Sequence, residues 1–243
     1  MMNWRKGCEA MQDIEYNGKT GSSLGIYLID RPSIPVAKKR KEEYEIPGRD
    51  GILTRTEENY EQSEIEMKFN FIAKDEYEWN LKATQAKEWL TFEGGCLTFS
   101  DDSDFFYRVL SIDISKIERK TARVGIFTAK ALLESGLRYL VSGKREIEYT
   151  AAKNNLYLLC KPIYKITGEG VCTLTVNGKK VTANVGQNLT VDTELMMTYR
   201  TDGTLQNTAI TGNYDDLYLI PGANTISVTP AFTLKIIPNW RCL

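Results

Sequence analysis

Hydrophobic and polar residues alternate along much of this chain, which predicts β-strands. In residues 64–71 every odd position is apolar and every even position is charged or amide-bearing. A period of two places one set in a core and the other in water. Residues 106–114 repeat the pattern with Leu110 among the core positions, although Arg108 falls on the same side. A further apolar stretch runs from Val124 to Leu133.

One segment departs from this period and predicts a helix over about 75–91. Asp75 is a suitable N-cap, and two glutamates follow it near the positive end of the helix dipole. The apolar positions at helical spacing are Trp79, Ala83, Ala86 and Leu90. Gly94-Gly95 follows the expected end.

The last ninety or so residues contain turn signals between short apolar alternations. Asn177-Gly178 supplies the two positive-φ residues of a type I′ turn, which predicts a β-hairpin. Pro221-Gly222 predicts a second turn. Several short strands in so few residues indicate an antiparallel β-sandwich. The fold class is therefore mainly β, with one helix.

Charge density divides the chain into two predicted domains. Residues 1–150 carry 23 basic and 26 acidic residues, a net charge of −3, whereas residues 151–243 carry 8 and 6, a net charge of +2. We place the boundary near Ala151, in a small polar stretch, which gives domains 11–150 and 151–243. Residues 1–10 show no periodicity, and we expect translation to start at Met11.

Composition excludes several classes of function. The chain has no histidine, so no catalytic triad, histidine-ligated zinc site or histidine switch is available. The spacing of the five cysteines fits neither a disulfide framework nor a metal motif. The overall net charge of −1 gives no field for gathering DNA. We expect no cofactor, no metal, no membrane insertion and no signal peptide.

Each of two charged clusters can be interpreted either as a ligand-binding site or as an ordinary charged surface segment. Asp101-Asp102-Ser103-Asp104 is rich in oxygen ligands for calcium but lacks the spacing of an EF-hand loop, so a polar turn is favoured. Lys38-Lys39-Arg40-Lys41 could bind phosphate, yet three glutamates follow at once. A charged strand or loop that discourages edge-to-edge pairing or meets a partner subunit is favoured there.

The catalytic alternatives are weak. Glutamates 57, 58, 61, 64 and 66 could supply the carboxylate pair of a glycosidase, but nothing in the pattern places two of them in a cleft. Ser22, Ser23 and Cys96 are nucleophiles without a histidine base. We therefore expect a protein that is not an enzyme.

Four sequence blocks resemble the distal tail (Dit) proteins of siphophages that infect Gram-positive bacteria. The chain opens with Ile14-Glu15-Tyr16-Asn17-Gly18 and continues with Ile46-Pro47-Gly48-Arg49-Asp50-Gly51. It ends with Leu219-Ile220-Pro221-Gly222-Ala223-Asn224 and a closing Ile236-Ile237-Pro238-Asn239-Trp240-Arg241. The resemblance covers Met11 to Leu243.

That resemblance implies a tail-tube-like N-terminal β-sandwich that forms a ring, usually a hexamer, and a C-terminal galectin-like sandwich for docking. The ring would join the tail tube protein to a tail-associated (Tal-like) protein and anchor receptor-binding proteins at the tip of the virion tail. Double-stranded DNA would pass through without specific binding. The protein would be made in the host cytoplasm.

Two sets of residues are candidates for contacts. For the ring interface these are Lys39, Arg40, Ile46, Pro47, Gly48, Arg49, Asp50 and Gly51. The six residues from Ile46 to Gly51 contain two tight turns. These turns are equally compatible with a rigid protrusion and with an ordinary hairpin corner. For a sugar or partner contact the candidates are Tyr199, Tyr214 and Tyr218, whose rings could stack on a sugar. The alternatives to a tail hub are a bacterial carbohydrate-binding or adhesion module and a tail tube or adaptor subunit.

Overall fold

The computed structural model describes residues 13–243 and divides into two units, one ending at Arg138 and one spanning Tyr139–Cys242. The expected start at Met11 and the first ten residues lie outside the described part. The boundary expected near Ala151 falls inside the second unit. Residues just before it belong there because Ile147 and Tyr149 pack against its core and Ala152 is buried within it.

From residue 13 onwards, the first unit contains one α-helix, one short 3-10 helix at Ser22–Leu24, and nine strands. Their bounds are β1 (Ile14–Tyr16), β2 (Lys19–Thr20), β3 (Ile26–Leu28), β4 (Lys39–Glu45), β5 (Ile52–Tyr60), β6 (Ser63–Ile72), α1 (Glu76–Leu90), β7 (Gly95–Phe99), β8 (Phe105–Arg119) and β9 (Val124–Leu133).

Seven of these strands form one antiparallel sheet in the order β2-β1-β7-β8-β9-β6-β3. Its two end strands, β2 and β3, are joined by only the five residues Gly21–Gly25. A connection that short brings both edges of the sheet together, so the sheet curls around its core. The amide of Gly21 donates to the carbonyl of Ile14 at 3.0 Å, and the amide of Ile26 donates to the carbonyl of Gly21 at 2.9 Å.

The core of the first unit follows the predicted alternation on β6. Ile65, Met67, Phe69 and Phe71 are fully buried, and Phe69 stacks on Phe127 with ring centroids 5.1 Å apart. Burial of four such side chains is worth roughly 1.5–3 kcal/mol each before conformational entropy is counted. The alternation in the sequence therefore determines which face of β6 meets the core, and the strand lies between β9 and β3 in the sheet.

The predicted helix is confirmed as α1, Glu76–Leu90. The Asp75 carboxylate accepts a hydrogen bond from the amide of Glu78 at 2.8 Å, as an N-cap does. The helix buries Ala83, Ala86 and Leu90, but its buried tryptophan is Trp89. The predicted core residue Trp79 lies only half buried, against Phe71.

Leu110 was predicted in the core, and that prediction is wrong. Its side chain is 40% exposed, while Val109 and Tyr107 are buried. The register between β8 and β9 shifts between Val109 and Ser111, which marks a β-bulge. A bulge reverses the faces on which successive side chains lie, and alternation alone does not show where one occurs.

The arm, defined as Lys39–Tyr60, is the hairpin of β4 and β5. It is a separate two-stranded sheet, and among the described residues no third strand pairs with it. None of its residues is buried.

The second unit contains four 3-10 helices and the remaining strands. The strands are β10 (Arg138–Leu140, which begins at the last residue of the first unit), β11 (Ile147–Glu148), β12 (Asn154–Asn155), β13 (Ile163–Val176), β14 (Lys179–Asp192), β15 (Met197–Tyr199), β16 (Ile210–Thr211), β17 (Gly222–Ala223), β18 (Ile226–Val228), β19 (Thr233–Ile237) and β20 (Arg241–Cys242). The 3-10 helices are Val141–Lys144, Tyr149–Lys153, Asn207–Ala209 and Tyr214–Leu217.

A long hairpin organises the second unit. β13 and β14 pair over fourteen residues each, and the main sheet runs β11-β19-β13-β14-β15. The hairpin turn is the predicted Asn177-Gly178, with φ of 50° and 82°. Both values are positive, as a type I′ turn requires, so this prediction is confirmed. The inner face of the sheet packs on a core that includes Tyr164, whose hydroxyl donates to the carbonyl of Leu217 at 2.6 Å.

The predicted Pro221-Gly222 turn is closed by a buried amide. Asn224 is 3% exposed, and its Oδ1 accepts from the amide of Ile220 at 2.9 Å and from Nδ2 of Asn177 at 2.8 Å. Its Nδ2 donates to the carbonyls of Ile220 at 2.8 Å and Gly222 at 3.1 Å. The side chain thereby ties the turn to the end of the β13–β14 hairpin. The fold as a whole is mainly β, as the alternation predicts.

Candidate functional site

The arm of the first unit carries all eight residues that the sequence suggests for a ring interface. Lys39 and Arg40 lie at its base, where the register between β4 and β5 shifts. The other six, Ile46 to Gly51, form the tip loop that joins the two strands. β4 rises about 20 Å between Lys39 and Glu45, so the structure places the two groups at opposite ends of the arm.

The tip loop is shaped by its proline and glycines. The amide of Arg49 donates to the carbonyl of Ile46 at 3.1 Å, which closes a four-residue turn. Pro47 precedes Gly48, whose φ is 83°, and this is the residue pattern of a type II turn. Gly51 has the same φ and begins the return into β5. The backbone therefore leaves Ile46 and Ile52 beside the turn, both exposed.

Apolar side chains next to the tip loop remain in contact with solvent. Tyr44 lies directly opposite Leu53 in the register, and the pair is 47% and 44% exposed. Ile46 and Ile52 are 43% and 52% exposed. Tyr44 and Leu53 share one face of the hairpin and Ile52 lies on the other, so both faces at this end expose large apolar side chains that a protein normally covers.

Charged groups occupy the rest of the arm in opposite signs. Lys39 pairs with Glu58 at 3.1 Å, and Glu42 lies opposite Arg55 in the register. The hydroxyl of Tyr44 donates to the carboxylate of Glu42. That hydrogen bond is the main reason why the pKa of Glu42 lies below its usual range. The arm therefore carries charges of both signs along its length and exposed apolar side chains beside its tip loop.

The three candidate tyrosines of the second unit are not brought together. Tyr199 lines a depression on the outer face of the main sheet. Tyr214 lies on the other side of β15, because its hydroxyl is 2.9 Å from Oγ1 of the buried Thr198. Tyr218 contacts Lys161, whose ammonium lies 5.6 Å from the ring centroid. Of the three, Tyr199 is the one that lines this depression.

The acidic cluster is the polar turn that the sequence favours, between β7 and β8. Two of its aspartates pair with arginines: Asp101 with Arg31 at 3.1 Å and Asp102 with Arg138 at 3.2 Å. Within residues 13–243 no group of three or more acidic or cysteine side chains has the geometry to hold a metal ion.

The candidate nucleophiles are engaged locally. The hydroxyl of Ser23 donates to the carbonyl of Thr20 at 2.6 Å, and that of Ser22 donates to Oγ1 of Thr20 at 3.3 Å. Glu64 and Glu66 lie on the solvent-facing side of β6, opposite Leu132 and Lys130 in the register.

In the described part of the chain, no helix has the length and apolar character needed to cross a bilayer.

Comparison with known proteins identifies both a domain and a fold. Residues 19–129 match the family model of the phage tail protein RIFT-related domain. Among solved structures, the chain is similar to SPP1 Dit (gp 19.1), described as a paradigm of the hub adsorption apparatus in phages that infect Gram-positive bacteria. The two are 15% identical with a TM-score of 0.69, over 96% of this chain and 99% of the other. No curated protein matches the sequence.

Proposed function

We propose that this chain, which contains a phage tail protein RIFT-related domain and has a fold similar to that of a distal tail protein, is a siphophage tail protein that closes into a ring of six copies. The ring would lie at the distal end of the tail, between the tail tube protein and a Tal-like tip protein. Its role is structural, since the chain would act by packing against copies of itself and against neighbours.

The observation that carries this proposal is the uncovered arm. A two-stranded hairpin with no third strand is only marginally stable in water. This one also exposes four large apolar side chains at its tip. A neighbouring subunit that covers the tip would bury that apolar surface and pair or shield the open edges. The free energy gained is roughly 25 cal/mol for each Å² of apolar surface removed from water.

A ring also explains the asymmetry of the arm. In a closed ring each subunit joins the next head to tail, so an interface needs two different, complementary patches. The arm supplies one such patch, with charges of both signs along its length and exposed apolar side chains beside its tip loop. The eight arm residues named from the sequence are the ones we assign to this contact.

The charge of the first 150 residues suits a passage for DNA. Their net charge is −3 with both signs interspersed, so a wall built from them would not hold phosphates. Double-stranded DNA would pass through without specific binding. The second unit would serve as the docking surface for receptor-binding proteins, which places the chain at the tip of the virion.

Native mass spectrometry and negative-stain electron microscopy of the full chain test this proposal. We expect closed rings with six times the 27.6 kDa mass of one chain. Leu53→Glu places a carboxylate at the apolar tip and should leave monomers, because burying an unpaired charge costs several kcal/mol. The matched control is Leu156→Glu, an exposed leucine of the second unit, which should leave the rings intact.

Two results would contradict the proposal. If the unmodified chain is monomeric at all concentrations, the proposed ring does not form. If the Leu53→Glu protein still forms the ring, the arm is not part of the ring interface. Circular dichroism of both variants separates loss of assembly from loss of folding. Both should retain the spectrum of the unmodified protein.

A further inference from the structure

The outer face of the second unit's main sheet contains a depression of about 410 Å³. Its side chains come from rows that cross the strands. One row runs Glu148, Lys235, Lys165, Thr190, Tyr199, each paired in register with the next. The row beside it runs Thr233, Thr167, Asn188. These side chains point away from the core because their strand neighbours, such as Ile166 and Leu234, are buried on the inner face.

The depression has a different chemistry at each side. Tyr199 closes one side with an aromatic ring. Thr190, only 6% exposed, lies between that ring and Lys165 in the register and forms the floor. Asn188 uses its Oδ1 to accept from the amide and the hydroxyl of Thr201, at 2.8 and 2.9 Å. Its Nδ2 group is left as a donor on this face.

A charged triad closes the opposite side. The carboxylate of Glu146 accepts from Nζ of Lys165 at 2.7 Å and from Nζ of Lys235 at 3.2 Å. Two positive charges share one negative charge, so the triad is net positive. Each ammonium has three N–H donors and gives one to Glu146, which leaves donors for a further acceptor. The two ammonium groups also hold the pKa of Glu146 below its usual range, so this carboxylate stays ionised near neutral pH.

We propose that this depression binds a pyranose sugar that carries one anionic substituent, a carboxylate or a phosphate. An aromatic ring gives a flat apolar face against which the C–H face of a sugar stacks. The hydroxyl and amide groups in the middle match sugar hydroxyls in hydrogen-bonding character. The lysine pair takes the anionic substituent through charge-assisted hydrogen bonds.

The lysine pair favours this ligand over two others. A neutral sugar would leave the remaining ammonium donors unused. A polyanion such as a nucleic acid would bring several phosphates towards a surface on which Glu146 and Glu148, the residue opposite Lys235 in the register, repel them. A sugar ring with one anionic group is therefore the ligand that the two lysines favour.

The binding is tested by saturation-transfer NMR on the full chain with three probes: methyl glucuronide, glucose 6-phosphate and neutral methyl glucoside. We expect transfer to the ring protons of the two acidic sugars and at least fivefold weaker binding of the neutral one. A preference for the carboxylate or the phosphate probe identifies which substituent the site takes. Absence of transfer to both acidic sugars would overturn the proposal.

Four variants test the assignment of roles. Lys235→Ala should weaken binding of the acidic sugars about tenfold and leave the neutral sugar unchanged. Glu146→Gln should strengthen acidic-sugar binding severalfold, because it removes the competing carboxylate. Tyr199→Ala should weaken all three probes. The control is Lys180→Ala, an exposed lysine elsewhere on β14, which should change nothing.

Equal binding of acidic and neutral sugars, or unaltered binding by Lys235→Ala, would contradict the assignment. Loss of binding in the Lys180→Ala protein would do so as well, since it would indicate non-specific attraction. The inference does not depend on ring formation. The mass of each variant, measured by native mass spectrometry, therefore separates a failure of this site from a failure of the proposed ring.

Discussion

Replacing Asn224 should destabilise the second unit more than its place in a turn suggests. The side chain is 3% exposed and uses all of its hydrogen-bonding capacity in four contacts. A net hydrogen bond contributes about 0.5–1.5 kcal/mol, and an orphaned buried partner costs more. Because Ile220 and Gly222 are exposed and can regain water, we expect Asn224→Ala to cost about 3 kcal/mol.

The carboxylate variant separates hydrogen bonding from packing. Asn224→Asp keeps the size of the side chain and both accepted bonds, but it turns the two donated bonds into contacts between a carboxylate and carbonyl oxygens. We expect a loss at least as large as that of Asn224→Ala at pH 7. This loss should shrink as pH falls towards 5, because burial beside carbonyl oxygens raises the folded-state pKa above that of the unfolded chain.

Urea unfolding followed by circular dichroism gives the free energy of unfolding. Hydrogen-deuterium exchange of β13 and β14 peptides assigns the change to the second unit. The control is Asn184→Ala, an exposed asparagine on β14, which should stay within about 0.5 kcal/mol of the unmodified chain. A loss below about 1 kcal/mol in Asn224→Ala, with unchanged exchange, would refute the reasoning.

Two further predictions concern the helix cap and a buried thiol. Asp75→Ala removes the N-cap of α1 and should lower the free energy of unfolding by about 1 kcal/mol. Asp75→Asn keeps a hydrogen-bond acceptor and should lower it by less. Equal losses of the two variants in urea unfolding would contradict the capping role. Burial raises the pKa of the Cys160 thiol to about 11, above the value near 9 of an exposed thiol. The unfolded chain therefore ionises first, and this thiol's contribution to the free energy of unfolding, about 3 kcal/mol at most, should be lost as pH rises from 9 to 11. Urea unfolding at pH 8 and pH 10.5 should show that the free energy of unfolding falls less between these pH values in the Cys160→Ala protein than in the unmodified chain. An equal fall in both proteins would contradict the assignment.

Local patterns were enough to predict the elements whose stability is local. Asp75 and the apolar spacing behind it identified the helix, because capping and helical periodicity act within one segment. Asn177-Gly178 identified the hairpin because its positive φ angles favour one turn type. The bulge near Leu110 was not predictable in this way, since it depends on how β8 meets β9.

The arm and the depression depend on longer-range relations. The strands β4 and β5 show no clean alternation because neither face is buried, and sequence patterning predicts faces only where one of them meets a core. Glu146 lies far along the chain from Lys235, and only the pairing of β11, β19 and β13 brings the triad together. The sequence identified Tyr199 as a sugar-stacking candidate but gave no reason to group it with these charges.

The charged base of the arm has a consequence for the chain before it meets its neighbours. A strand edge left unpaired invites other copies to add to it without limit, as in fibril growth. Lysine and arginine at positions 38–41 and glutamates at 42, 43 and 45 make parallel, in-register stacking of identical strands electrostatically unfavourable, because each residue would then face its own like charge. The charge pattern therefore disfavours the parallel stack of a fibril and leaves open only pairings that set the basic half of one strand against the acidic half of another.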